Sequence, residues 1–150
     1  MKHPILGDIT QEDGDGVARV SYEGRKIDIR IIADEIPYDA TVDVASSVVQ
    51  NLKNLDAKAK RIAATELTDT YNNGWNEYDE VQEDGTLKDV VNPKLTPDEF
   101  VTKLTLNAVN VTGNMLAFFY DDEDMFWGHS VIVNSMDGVA FTDTQAEIFG

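Results

Sequence analysis

Apolar and polar positions alternate through the first thirty residues and then change period. Val17, Arg19 and Ser21 interleave with Ala18, Val20 and Tyr22, and Lys26, Asp28 and Arg30 interleave with Ile27, Ile29 and Ile31. Turn sequences bound these runs, Asp13-Gly14-Asp15-Gly16 before the first and Tyr22-Glu23-Gly24-Arg25 between the two. Period-two alternation between turns predicts two half-buried antiparallel strands. A further strand is expected over Ile5 to Thr10.

From Asp39 onward the spacing becomes three and four. Val44, Val48, Leu52 and Leu55, then Ala59, Ile62, Ala63, Leu67 and Tyr71, form an amphipathic helical stripe. Asp39 or Thr41 is the expected N-cap, and Asn54-Leu55-Asp56 is where a break would divide the stripe into two helices. Lys53, Lys58, Lys60 and Arg61 are expected on the face turned from the core. Asn72-Asn73-Gly74 ends the stripe, because Asn and Gly tolerate left-handed geometry.

Trp75 to Lys94 shows no periodicity. An acidic connection this long points to a functional loop, a mobile one, or a short concealed element. Thr96-Pro97-Asp98-Glu99 is a helix start, with Thr96 as cap, Pro97 at the first position and Glu99 completing a capping box. Phe100, Val101 and Leu104 supply its buried side. Strands follow at Leu106–Val111, Met115–Tyr120, Ser130–Val133 and Val139–Thr142, with turns at 110–114 and 135–138. The order of strands, helices and strands argues an α+β fold: an antiparallel sheet from both ends of the chain with helices on one face.

Composition narrows the class. The 150 residues suit a single domain spanning 1–150, and a chain of this size buries roughly 68–70% of its unfolded surface. Without cysteine there are no disulfides and no thiolate metal sites. No apolar run approaches the roughly 20 residues of a membrane span, and Ile5-Leu6-Gly7-Asp8 is too short for a secretory segment. A cytoplasmic location is the expectation.

Charge changes the picture most. Twenty-eight acids against twelve bases give −16, and every Lys and Arg lies at or before Lys103. Such a field repels nucleic acid and anionic membrane and speeds encounter with a basic protein. The bland counterpart is solubility alone.

The densest charge is Asp121-Asp122-Glu123-Asp124, between the aromatic strand Phe118-Phe119-Tyr120 and the turn Phe126-Trp127-Gly128-His129. Four adjacent acids lack the alternate spacing of a calcium loop, so no metal or other cofactor is expected. A solvated hairpin turn or a partner-facing knob fits better. His129 has no nucleophile elbow, zinc-type pattern or second histidine beside it, and is read as an imidazole hydrogen-bonded to backbone at a strand start. His3 says little. Trp75 and Trp127 both stand beside acidic turns, where Trp serves as a core edge or as an interface anchor. Asn110-Val111-Thr112 matches a glycosylation acceptor but is set aside, since nothing indicates secretion.

Several segments match a known pattern: Ile5-Leu6-Gly7-Asp8, Trp75 after Asn72-Asn73-Gly74, Leu95 to Phe100, Phe126-Trp127-Gly128-His129-Ser130, and the ending Asp143 to Gly150. With these, nearly the whole chain resembles a bacterial family, domain of unknown function 2262. The resemblance implies a small soluble bacterial domain and brings no catalytic residues with it.

The functional expectation is a non-enzymatic acidic binding protein, in its leading form an immunity protein or inhibitor that neutralises a basic toxin or nuclease. Its candidate contacts are Asp121, Asp122, Glu123, Asp124, Trp127, Trp75, Asp79 and Glu80. The alternatives are a small enzyme or ligand-binding module using His129 with nearby carboxylates, a phage-encoded DNA mimic, and an acidic adaptor without a toxin partner.

Overall fold

The computed structural model describes residues 2–32 and 37–150. Three amino-terminal strands, β1 (Lys2–His3), β2 (Gly7–Glu12) and β3 (Asp15–Tyr22), lead to β4 (Arg25–Ile31). Two helices follow, α1 (Tyr38–Gln50) and α2 (Leu52–Thr70), then β5 (Glu77–Val81), β6 (Leu87–Val91) and α3 (Pro97–Thr102). The chain closes with β7 (Thr105–Thr112), β8 (Met115–Asp121), β9 (Ser130–Ser135) and β10 (Thr144–Phe149).

Eight strands form one sheet in the order β1-β2-β3-β4-β7-β8-β9-β10, and β5 pairs with β6 in a separate hairpin. Neighbours are antiparallel except β4 and β7, which run parallel. A parallel pair cannot be closed by a tight turn, so everything from α1 to α3 belongs to one long crossover. The fold is α+β, with the helices laid against the sheet.

Alternation along the strands sets the core. Ile27, Ile29 and Ile31 are buried beside Ala18, Val20, Val109 and Phe118, while the polar residues between them face outward. From the helices, Val42, Ala45, Val48, Leu55, Ala59 and Ala63 meet that surface. Gly16 lies where Tyr38 packs so closely that a side chain would collide with its hydroxyl. At the sheet's far edge the Glu66 carboxylate accepts the backbone N–H of Ala146 at 3.3 Å. That contact covers part of an edge that would otherwise invite strand addition.

Several elements depart from the pattern-based expectation. The strand expected over Ile5–Thr10 begins at Gly7, since Ile5 and Leu6 instead donate backbone N–H groups to His3 Nδ1 in the turn after β1. Neither Asp39 nor Thr41 caps α1, which starts after Pro37. Thr41 is wholly buried, and its hydroxyl accepts the Gly113 N–H, tying α1 to the β7–β8 turn. The break between helices falls at Asn51, not at Asn54-Leu55-Asp56, because Leu55 and Asp56 are needed inside the core. Lys53, Lys58 and Arg61 are exposed as expected, but Lys60 folds back to Asp56 at 3.5 Å. The capping box at Thr96 and Glu99 forms as read.

Val139–Thr142 is not a strand. A single 3-10 turn, Gly138–Ala140, leads to Phe141 in the left-handed region at φ +56, which drops its ring onto Phe118 at 5.5 Å. Asp137 holds this corner: its carboxylate accepts from the Thr142 hydroxyl, from the backbone N–H of Thr142 and Asp143, and from the Ser135 hydroxyl. These bonds, the Thr142 hydroxyl foremost, pull its pKa down to about 2. A carboxyl depressed in the folded state contributes stability above the ordinary Asp range and loses it as pH falls toward that value. Asp137→Asn is therefore expected to unfold at a lower temperature than the parent at pH 7. That gap should close between about pH 4 and about pH 2, as thermal melts across that range will show.

Candidate functional site

The end of α2 builds the site's foundation. Asn73 and Gly74 leave helical geometry, Gly74 at φ +148, so the chain turns widely through Tyr71–Trp75 and exits toward β5. Asn72 does more than stop the helix. Its side-chain amide donates to the Leu95 carbonyl and accepts the Leu95 N–H, both at 2.8 Å, fastening the segment that returns from β6. Asn76, buried, donates from its side chain to the Asn92 carbonyl, and the Asn92 N–H donates back to the Asn76 carbonyl. Two asparagines thus clasp the base of the β5–β6 hairpin.

That hairpin is the concealed element in the acidic connection. Nearly every residue in it is exposed, so neither face shows a period. Asp79 stands directly across from Asp89, and the hydrogen bond and repulsion between the two carboxyls raise the Asp79 pKa. Like charges in facing positions weaken a hairpin. Val81, Leu87 and Val91 are also solvent-exposed, Val81 to 71%. Among the described residues, then, this projecting ribbon displays apolar side chains amid carboxylates.

The β8–β9 loop supplies the opposite wall. Asp122 is buried, 3% exposed, and its carboxylate accepts the backbone N–H of Asp124 and of Phe126. Burial pushes its pKa up against the lowering effect of those two bonds. Glu123, Asp124 and Trp127 all adopt left-handed backbone geometry, at φ +53, +60 and +52. For bulky residues that geometry is uncommon and strained. Its outcome is that Phe126 points into the core while Trp127 points out, 54% exposed.

Phe126 is the node beneath. Its ring lies 5.9 Å from Tyr71, 5.3 Å from Trp75 and 6.2 Å from Phe100, each in an edge-on arrangement. Trp75 in turn lies 5.1 Å from Trp127 and 5.6 Å from His129. His129 Nδ1 sits 2.8 Å from the Phe126 carbonyl. A carbonyl can only accept, so Nδ1 carries a proton and that ring edge is occupied.

Clefts open around the Trp127 ring. One of about 520 Å³ runs past Trp75, Leu95, Glu99 and Lys103 to Glu123 and Asp124. A second of about 410 Å³ lies between Tyr78, Asn92, Glu123, Asp124 and Trp127. A third of about 570 Å³ is bordered by Glu77, Asp79, Asp89, Val91 and Trp127.

Of the sequence-derived candidates, Trp75, Trp127, Glu123, Asp124 and Asp79 gather around these clefts. Asp122 does not: it is an internal cap of the loop, a correction to its expected place on an exposed acidic knob. Asp121 ends β8 and accepts the Glu123 N–H, bracing the loop without bordering the three clefts described above. Glu80 faces Lys88 across the hairpin, near the tip. Tyr78, Asn92 and Asp89 escaped the sequence reading, since only strand pairing brings them to Trp127. Among the described residues no group of three or more His, Asp or Glu side chains is arranged to hold a metal ion. No helix among them is long and apolar enough to cross a membrane.

Fold and site together define an α+β domain that presents aromatic rings and carboxylates on one exposed surface. The chain belongs to a bacterial family: the family model described as "Uncharacterized protein conserved in bacteria (DUF2262)" matches residues 11–145. No curated protein and no solved structure matches it.

Proposed function

We propose that the chain is a non-enzymatic inhibitor of a basic protein, of the immunity type that neutralises a toxin or nuclease inside the cell producing it. The observation that carries this reading is Trp127. A large ring held out by a strained backbone, between a carboxylate loop and a hairpin with exposed valines and a leucine, is costly to maintain and suits burial against another protein. Net charge of −16 selects the partner's sign: a basic surface is attracted and steered, whereas a second acidic copy is repelled.

Growth rescue tests the proposal. Each gene adjacent to this one is to be induced alone and together with this chain in a heterologous bacterial host. One neighbour is expected to arrest growth alone and to be tolerated in the pair. If no neighbouring product is toxic, or if a toxic one is not relieved, the inhibitor reading fails.

A further inference from the structure

We infer that the cleft between Tyr78, Asn92, Glu123, Asp124 and Trp127 receives an arginine side chain of the basic partner. This rests on the inhibitor reading and specifies its anchor. The cleft, of about 410 Å³, combines two features that a guanidinium uses at once. Aromatic rings from two different elements, Trp127 of the β8–β9 loop and Tyr78 of β5, border it, and a guanidinium is held over such rings by cation–π attraction. Carboxylates of Glu123 and Asp124 border the same space, and an arginine fork matches them with paired, charge-assisted hydrogen bonds.

The ion pairs among the described residues leave these two carboxylates out, being made by Glu12, Asp15, Asp28, Asp56 and Asp98. Lys103, the cation among the residues lining these clefts, borders the adjoining cleft rather than this one. Lysine would gain the charge attraction but neither the planar stacking nor the two-pronged geometry. Val91, exposed and bordering the adjoining cleft at Trp127, gives the next residue of a basic segment an apolar contact.

Intrinsic tryptophan fluorescence at low ionic strength reads the cleft directly, with a hexa-arginine peptide and its hexa-lysine counterpart as probes. Hexa-arginine is expected to perturb the emission saturably and to bind more tightly than hexa-lysine. Trp127→Ala, and separately the pair Glu123→Gln with Asp124→Asn, should weaken hexa-arginine by about tenfold. Asp39→Asn with Asp43→Asn on α1 removes the same charge away from the clefts and should leave binding near the parent value. All these side chains are exposed, and circular dichroism confirms that each variant is folded.

Equal weakening by the cleft pair and the α1 pair, or equal binding of the two peptides, overturns the arginine receptor while leaving a general acidic-surface inhibitor standing. Binding of neither peptide at low salt overturns both.

Discussion

Phe126→Ala should cost this protein about 3–5 kcal/mol, a large share of the roughly 5–15 kcal/mol that holds a domain of this kind together. The side chain is fully buried and stands between Tyr71, Trp75 and Phe100. Truncation removes its buried area, leaves a cavity and breaks three edge-on ring pairs, each worth about 0.5–1.5 kcal/mol beyond burial. Because Trp75 leans on Phe126 and Trp127 leans on Trp75, the damage should reach the surface. Urea unfolding followed by circular dichroism gives the stability loss, and a shift in native tryptophan emission reports the disturbed clefts. Phe126→Leu restores most of the volume and should recover more than half of the loss. A cost below about 1 kcal/mol for the alanine variant would mean that Phe126 is not the support described.

Asp56→Ala should cost about 2–4 kcal/mol, for a different reason. Asp56 is a buried carboxylate on α2 that accepts the hydroxyls of Tyr120 at 2.6 Å and Tyr22 at 2.7 Å, with Lys60 at 3.5 Å. It binds the second turn of α2 to β8 and β3. Removing it takes away the close acceptor of the Tyr120 hydroxyl inside the core, leaving that hydroxyl the residue-56 backbone carbonyl at 3.4 Å, and leaves Lys60 without its partner. Asp56→Asn keeps one acceptor and should lose roughly half as much. Burial, aided by the Asp56 charge and hydrogen bond, raises both tyrosine pKa values. A raised folded-state pKa means that this stability is present below the ordinary tyrosine value and is lost as pH climbs above about 10. Equal losses for the alanine and asparagine variants would contradict the assigned hydrogen bonds.

Sequence pattern revealed those parts of the fold in which one face is buried and the other is wet. β3, β4 and the long helical stripe show clean periods because burial selected them. The β5–β6 hairpin showed none, since both its faces meet solvent and its pairing is held by Asn72 and Asn76 at the base. Val139–Thr142 misled because its apolar run serves a corner: Phe141 is buried through a left-handed backbone that a period count cannot register. The site was legible in its ingredients rather than its arrangement. Trp75 and Trp127 were conspicuous beside acidic turns, yet their contact depends on the crossover returning α2 to the β8–β9 loop. Which of the four adjacent acids turns inward is set by positive φ at Glu123 and Asp124, so Asp122 could not be told from its neighbours.

Capture of a basic protein by this acidic, aromatic surface, as proposed, has a kinetic signature. Stopped-flow association with the toxin identified by growth rescue tests it most directly, comparing the parent with the Glu123→Gln, Asp124→Asn pair. Between about 0.01 M and 0.15 M salt the screening length shrinks from about 30 Å to about 8 Å. The parent's association rate should fall by at least about tenfold over that range. The variant should start slower and show a shallower dependence. A rate that ignores salt, or a variant that matches the parent throughout, would contradict the claim.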